Sequence, residues 1–242
     1  MKRPLFLCLM LLALLSACVS SDIESRGSAE LDYELAKKKL ADGLYSEVNI
    51  FLADFSAKHP YSHYAIQAEL LRAFAAYKGE EYILAETLCE QFIKRHPRHP
   101  DVAYAKYLLG MAHYKQVVPP ERDPGQTMAA IKSFRELIKD HPDSPYARDG
   151  ASRLQKLYNN LAEHEVTVGK YYFDRGDYVA AANRFQVVIE RYQTTPSIEE
   201  ALYYLAASYA KLGIMNSARD TAILLRHNYP GGSWSEKAAR FL

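Results

Sequence analysis

The sequence predicts an all-α protein, folded as a right-handed α-solenoid of five repeated helix pairs. Three observations lead to this prediction: a short pattern that recurs five times, a spacing of 37 residues between neighbouring copies, and glycines and prolines where helices would end. Because one such unit cannot bury its apolar face alone, stacked neighbours would share a continuous core. Repetition, more than composition, therefore determines the fold class.

The recurring pattern is a residue, most often tyrosine, followed three positions later by a small residue. Its copies begin at Tyr45, Tyr82, Thr127, Tyr178 and Met215. The small residues Val48 and Ala85 are 37 positions apart, as are Ala181 and Ala218. A glycine shortly before most copies would end the first helix, and a proline beyond most copies would end the second. This arrangement is similar to the tetratricopeptide repeat, with its Gly-x-Tyr-x-x-Ala…Pro second half.

The repeats divide the chain into N-terminal repeats one to three (29–144) and C-terminal repeats four and five (162–232). Two larger spacings interrupt the period. Residues 117–124 would be an insertion between the two helices of repeat three. Residues 145–161 would fuse with the first helix of repeat four and lengthen it by roughly 21 Å. Residues 233–242 would form a short terminal helix.

The terminal helix is predicted from two local signals. Ser233 and Glu236 have the spacing of a capping box, which would start the helix. The rings of Trp234 and Phe241 would then cover the last repeat.

The N-terminus has the pattern of a removable export signal. Lys2 and Arg3 precede an apolar stretch over 5–15, which is too short to cross a bilayer core of about 30 Å. Ser16 and Ala17 then stand directly before Cys18, and this ending resembles the lipobox of bacterial lipoproteins. The resemblance implies a signal peptide over 1–17, lipid attachment at Cys18 and a flexible tether over 18–28.

Charge and cysteine content exclude several classes of function. Removal of residues 1–17 takes away two basic side chains, so the net charge falls from +1 to −1 and disfavours nucleic acid as a partner. Of the three cysteines, Cys8 would leave with the signal and Cys18 would carry lipid. Cys89 would then stand alone without a disulfide and is expected to be a small buried hydrophobe.

Catalytic and metal chemistry are also not expected. His59, His96 and His141 share a repeat position at which Tyr192 and Tyr229 stand in the last two units, so the position indicates packing. The chain carries no catalytic or phosphate-binding motif. We therefore predict no enzymatic activity, no catalytic residue, no metal site and no cofactor.

A peptide-binding groove is the remaining candidate site. The first helices of such a solenoid line its inner surface, and those of the N-terminal repeats would place tyrosines, a phenylalanine and lysines there. The candidate residues are Tyr33, Lys37, Phe74, Tyr77, Lys78, Tyr104, Tyr107, Tyr114 and Lys115. Rings and lysines together suit an extended peptide with aromatic side chains and a carboxylate. The other explanation is that the rings pack between repeats. For any single residue, packing and peptide binding are equally well supported by the sequence.

Specific residues then point to a family. They run from the insertion through repeat four and comprise Arg122-Asp123-Pro124, Pro142, Ser144, Tyr146, Arg153-Leu154, Leu161-Ala162, Glu165, Val168, Tyr171-Tyr172, Arg175-Gly176, Val179-Ala180 and Asn183-Arg184. With the lipobox, the five repeats and the lengthened helix, they resemble the BamD family. These are tetratricopeptide-repeat lipoproteins of the outer-membrane β-barrel assembly machinery.

The resemblance implies a non-enzymatic scaffold that is lipid-anchored at the periplasmic face of the outer membrane of a Gram-negative bacterium. Its implied partners are the central β-barrel assembly protein, bound through POTRA domains by the C-terminal repeats, and accessory Bam lipoproteins. Unfolded outer-membrane proteins would bind near the N-terminal repeats through C-terminal signals that end in an aromatic residue.

Two other interpretations stay open from the residues alone. The chain could be another repeat lipoprotein, such as a pilot protein of a pilus secretin. It could also be an adaptor of a cell-wall enzyme, although no acidic residue stands out as catalytic.

Overall fold

The computed structural model describes residues 27–242, so the predicted signal peptide, Cys18 and most of the tether lie outside the described residues. Within that range the regular elements are helices. In chain order they are α1 (Ala29–Ala41), α2 (Tyr45–Phe51), α3 (Phe55–Lys58), α4 (Tyr64–Lys78), α5 (Tyr82–Arg95), α6 (Val102–Lys115), α7 (Gly125–Asp140), α8 (Pro145–Asp174), α9 (Tyr178–Arg191), α10 (Ile198–Lys211), α11 (Met215–Asn228) and α12 (Ser233–Ala238), followed by a 3₁₀ turn (Ala239–Phe241). None of these helices has both the length and the apolar character needed to cross a bilayer.

Packing divides the chain into two compact units, one ending at Ala75 and one comprising Ala76–Leu242. The boundary falls inside α4, within repeat two, whereas the sequence predicts a division at residues 145–161. In the first unit, α1, α2, α3 and most of α4 enclose a small core. That core consists of Ala36, Val48, Leu52, Phe55, Ala68 and Ala75.

In the second unit each helix packs against the next one along the chain, from α5 through α12. The predicted small residues Ala85, Ala130, Ala181 and Ala218 are all fully buried in it. The prediction of an all-α fold built from tetratricopeptide-type helix pairs is therefore confirmed.

The lengthened helix between repeats three and four is also confirmed, as α8. It runs for 30 residues without interruption, or about 45 Å. Its start is encoded locally: the Ser144 hydroxyl accepts a hydrogen bond from the Tyr146 amide, and Pro145 occupies the first turn, where its missing N–H costs nothing.

The turns between paired helices follow the predicted glycines only in part. Gly43, Gly176 and Gly213 have positive φ and end the first helix of their repeats. In repeat two the left-handed residue is Glu80, at φ 61°, and not the preceding Gly79. In repeat three Gly125 begins α7, because the insertion separates it from the end of α6.

Two further predictions are wrong in detail. The second helix of repeat one is broken into α2 and α3, because the amides of Ala53 and Phe55 bond to carbonyls three residues back instead of four. The capping box at Ser233 does not form, since Gly232 is the N-cap and Ser233 is the first residue of α12. Trp234 does pack on the last repeat, as expected.

Candidate functional site

A surface rich in tyrosine runs over the second unit where α6 meets α8. Tyr104, Tyr107 and Tyr114 of the predicted groove are three and seven positions apart on α6, which places them on one helical face. Tyr146, Asp149 and Arg153 are three and four positions apart on α8 and also share one helical face, and the two helices are in contact. We call these six residues and Tyr77 the tyrosine surface.

Ring contacts hold the tyrosine surface together. The Tyr146 ring lies 5.2 Å from that of Tyr104 and 5.3 Å from that of Tyr107, measured between centroids. Tyr77 is half-buried and packs, like Tyr107 and Tyr146, against an apolar cluster of the second unit that includes Met111 and Phe134. Such tilted ring pairs contribute stability beyond their buried area and also fix ring orientation. Part of the predicted ring set therefore does pack between repeats, although every ring remains partly accessible.

Asp149 is the polar centre of the tyrosine surface. Its Oδ2 atom accepts a hydrogen bond of 2.7 Å from the Tyr107 hydroxyl and one of 2.6 Å from Arg153 Nε. The Arg153 guanidinium also lies over the Tyr114 ring, 5.0 Å from its centroid. Arg153 is thus held on two sides, by a carboxylate and by an aromatic face.

The electrostatics of this cluster favour its charged forms. Burial acts to raise the pKa of Asp149, but the hydrogen bonds from Tyr107 and Arg153 outweigh it and hold the pKa below its ordinary value. Burial acts to lower the pKa of Arg153, and the Asp149 carboxylate reverses this effect. Burial raises the pKa values of Tyr77, Tyr104 and Tyr107, so these hydroxyls stay protonated donors at neutral pH.

The predicted lysines of this unit lie at the rim. Lys78 and Lys115 end α4 and α6, respectively, and both are exposed. A cation in the last turn of a helix interacts favourably with the helix dipole, which is a structural reason for their position.

The other three predicted groove residues belong to the first unit. Tyr33 stacks on Tyr64 with ring centroids 5.0 Å apart. Lys37 pairs with Glu34 at 2.8 Å, and its ammonium lies 5.8 Å from the Tyr33 ring centroid. Phe74 is half-buried on α4. Tyr33 and Lys37 thus form a ring-and-cation pair of their own on α1.

The sequence patterns do not predict the α8 side of the tyrosine surface. Tyr146 and Arg153 enter the sequence prediction only as family markers, and Asp149 is not among the predicted residues. The spacing of Asp149 and Arg153 by four residues is an ordinary helical ion pair and could have been found. Their closeness to the tyrosines of α6 depends on how α8 crosses α6, which no local pattern indicates.

The three repeat-position histidines and Cys89 lie in packing environments, at helix ends and in the core. His59, His96 and His141 are the C-cap residues of their helices, and the rings of His59 and His96 lie 4.9 and 5.1 Å from those of Phe55 and Phe92. Cys89 is fully buried, which raises the pKa of its thiol. Among residues 27–242, no three His, Cys, Asp or Glu side chains gather in a way that could hold a metal ion.

Comparison with known proteins identifies relatives along most of the chain. The family model YfiO, described as an outer membrane lipoprotein, matches residues 26–224. The outer membrane protein assembly factor BamD of Caulobacter vibrioides is 32% identical over 88% of this chain and 70% of its own. The protein of that name from Neisseria meningitidis serogroup A is 34% identical over 89% of this chain and 87% of its own.

Among solved structures, the TPR2AB domain of yeast Sti1 aligns with 87% of this chain and 81% of its own, at 18% identity and a TM-score of 0.43. The fold assignment rests on the helix pairs described above and the family assignment on the sequence relatives. Since the family model spans most of the chain and these relatives bear the name that the lipobox, repeats and long helix predicted, the chain belongs to the YfiO family of outer membrane lipoproteins, which includes the BamD assembly factors.

Proposed function

We propose that this protein is a non-enzymatic scaffold in the assembly of outer-membrane β-barrel proteins. It would be anchored through lipid on Cys18 after removal of residues 1–17, at the periplasmic face of the outer membrane. Family membership over residues 26–224 is the observation that carries this proposal, because relatives of 32–34% identity are named for outer membrane protein assembly.

One part of the proposed function is recognition of unfolded substrates by their C-terminal segments. The tyrosine surface supports this part, since it combines accessible aromatic faces with a guanidinium and rim lysines. Aromatic side chains supply contact area at low entropic cost, and cations attract a carboxylate. We place the binding of substrate peptides on this surface.

A second part is binding of the central barrel protein, through its POTRA domains, by the C-terminal repeats. Exposed apolar side chains flank the turns of repeats four and five: Tyr171 and Val179 on α8 and α9, Ile214 before α11 and Met215 at its start. Surfaces of this kind are commonly sites of protein association. Accessory lipoproteins of the same machinery are the remaining proposed partners.

Affinity purification of the lipidated full-length protein from detergent-solubilised envelopes tests the scaffold role. We expect a β-barrel protein with POTRA domains among the captured partners. Capture of a secretin would favour the pilot-protein interpretation, and capture of a cell-wall hydrolase would favour the adaptor interpretation. Absence of any barrel-assembly protein would overturn the proposal.

Photo-crosslinking tests the site of substrate binding. A photoreactive residue in place of Tyr77 or Tyr107 should capture a synthetic peptide that carries the C-terminal segment of a barrel protein. The matched control is the same residue at Met128, which is exposed on α7. Capture from Met128 with none from Tyr77 or Tyr107 would contradict this placement.

A further inference from the structure

The guanidinium of Arg153 has binding capacity beyond its internal partners. It carries five N–H donors. Asp149 accepts from Nε at 2.6 Å and from Nη2 at 3.4 Å, and the Tyr107 hydroxyl is its other hydrogen-bonding neighbour among the described residues. At least two N–H groups are therefore available to another acceptor, and the side chain is 25% exposed.

The surroundings of Arg153 favour a planar anion next to an aromatic ring. Asp149 fixes the Nε side of the guanidinium, and the Tyr114 ring lies against its face. A guanidinium held in this way loses little side-chain entropy when it forms a bidentate pair with a carboxylate. The exposed Lys78 and Lys115 add positive charge near Arg153. Asp149 is the acidic residue of the tyrosine surface and offsets part of that charge.

The same geometry favours a chain terminus over an acidic side chain. In a peptide that ends in an aromatic residue, the carboxylate and the ring branch from one Cα atom. Here the guanidinium carbon lies 5.0 Å from the centroid of the Tyr114 ring, so one terminal residue can meet both. An internal glutamate carries its charge on a different residue from the aromatic side chain and would need a second anchoring position.

We propose that Arg153 is the residue that binds the C-terminal carboxylate of the substrate peptide. This inference rests on the proposed peptide-binding function of the tyrosine surface. It assigns the charge recognition to a residue of α8, whereas the sequence assigned it to the rim lysines. Asp149 is a positioning residue that holds the guanidinium and partly offsets its charge.

Asp149 allows a strict test, because the charges of Asp149 and Arg153 should have opposite effects on the affinity for the terminal carboxylate. Replacement of Asp149 by asparagine keeps an oxygen that can accept from Tyr107 and Arg153, but it removes a negative charge next to the incoming carboxylate. Asp149→Asn should therefore strengthen binding of the carboxylate. A purely structural role of the pair predicts weaker binding for both single variants.

The test uses the full-length protein and two fluorescent peptides of identical sequence that end in phenylalanine, one as free acid and one as C-terminal amide. The wild-type protein should bind the acid about tenfold more tightly, as a charge-assisted bond implies. Arg153→Gln should bind both peptides equally, and Asp149→Asn should widen the preference for the acid. The double variant Asp149→Asn/Arg153→Gln should show no preference, which separates loss of the guanidinium from repulsion by an uncompensated carboxylate.

Arg135→Gln on α7 is the matched control, since this arginine is exposed and lies outside the tyrosine surface. Circular dichroism melting establishes that each variant folds, and Arg153→Lys provides a milder change that keeps the charge and should retain part of the preference.

Persistence of the acid preference in Arg153→Gln would overturn the inference and leave the peptide-binding function intact. An internal glutamate in the amide peptide that restores full affinity would overturn the choice of a chain terminus. Failure of the wild-type protein to bind either peptide would overturn the proposed peptide-binding function together with the inference.

Discussion

Gly110 and Gly169 occupy the same position in repeats three and four, and each faces a buried phenylalanine. A Cβ atom at Gly110 would lie 2.7 Å from Phe134, and one at Gly169 would lie 2.6 Å from Phe185. Both rings are fully buried, so neither can withdraw toward solvent. In the other repeats this position is alanine, and the residue at the phenylalanine position is smaller: Leu52, Cys89 and Ala222.

Gly110→Ala should destabilise the protein. Alanine is a better helix former than glycine by about 1 kcal/mol, but overpacking of a filled core costs about 1–3 kcal/mol. We expect a net loss of about 1 kcal/mol in the free energy of unfolding, measured by urea denaturation. The second change Phe134→Leu should cost less in the Gly110→Ala background than in the wild type. Additive effects of the two changes would contradict this account.

Asp149 should also make stability depend on pH. Because the folded-state pKa lies below the ordinary carboxyl value, the ionised form stabilises the fold at neutral pH. This contribution is complete above about pH 4–5 and disappears as pH falls toward the lowered pKa. Between pH 5 and pH 3 the wild type should lose more unfolding free energy than Asp149→Asn, as urea titrations at each pH would measure. An equal loss in both proteins would show that the Tyr107 and Arg153 contacts do not stabilise the carboxylate.

At the scale of elements, the loop between α6 and α7 is tied to the long helix. Asn160 of α8 donates from Nδ2 to the Val118 carbonyl at 3.2 Å, and its Oδ1 accepts from the buried Thr127 hydroxyl at 3.1 Å. His164 Nδ1 lies 2.6 Å from the Pro120 carbonyl, one turn further along α8. The insertion that interrupts the repeat period is therefore held on α8 by side-chain hydrogen bonds.

Asn160→Ala should loosen this loop without unfolding the helices. We expect faster hydrogen exchange at the amides of Val117 and Arg122, which bond to the Tyr114 and Pro119 carbonyls, by about tenfold for each 1.4 kcal/mol of local stability that is lost. Asn159→Ala is the matched control, because the Asn159 amide bonds only to Gln155 on its own helix among the described contacts. Equal exchange in the two variants would argue against the tie.

At the scale of the whole molecule, each helix of the second unit packs against the next one along the chain, so the last repeat needs a cover. That cover is α12 with the following 3₁₀ turn. The Trp234 ring lies 5.1 Å from that of Tyr203 and 5.8 Å from that of Tyr204. Behind these rings lie the buried residues Ile198, Leu202, Ala222 and Leu225. Terminal repeats of stacked proteins generally require such a covering element.

Trp234→Ala should therefore lower the stability of the C-terminal repeats. Loss of a large, partly buried ring costs about 2–3 kcal/mol, and for a chain of this size we expect the melting temperature to fall by about 5 °C or more. Differential scanning calorimetry would measure this shift. Lys237→Ala removes the ammonium that lies 4.0 Å from the Trp234 ring centroid and serves as control, with a change near zero. A melting temperature unchanged in Trp234→Ala would refute the covering role.

Repetition in the sequence was enough to predict most of this fold. The helix pairs follow from the small residues and the 37-residue period, because each repeat makes the same short-range contacts. The long α8 follows from the additional residues 145–161. Local signals were less reliable at helix ends, as Glu80 and Ser233 show. There, backbone conformation depends on what the next element packs against, so neighbouring sequence alone does not decide it.

The sequence by itself determined the lipobox-like pattern that ends at Cys18 and the helical repeats, since both follow from local residue order. It also determined which face of α6 carries tyrosines, because that face follows from the 3.6-residue helical period. Only the tertiary structure decided what those tyrosines meet. Asp149 and Arg153 reach Tyr107 and Tyr114 across more than 35 positions because α8 crosses α6, and the angle of that crossing is set by side-chain packing throughout both helices. Contacts of this range arise from the whole assembly of helices, which is why the charged centre of the candidate site became apparent only in three dimensions.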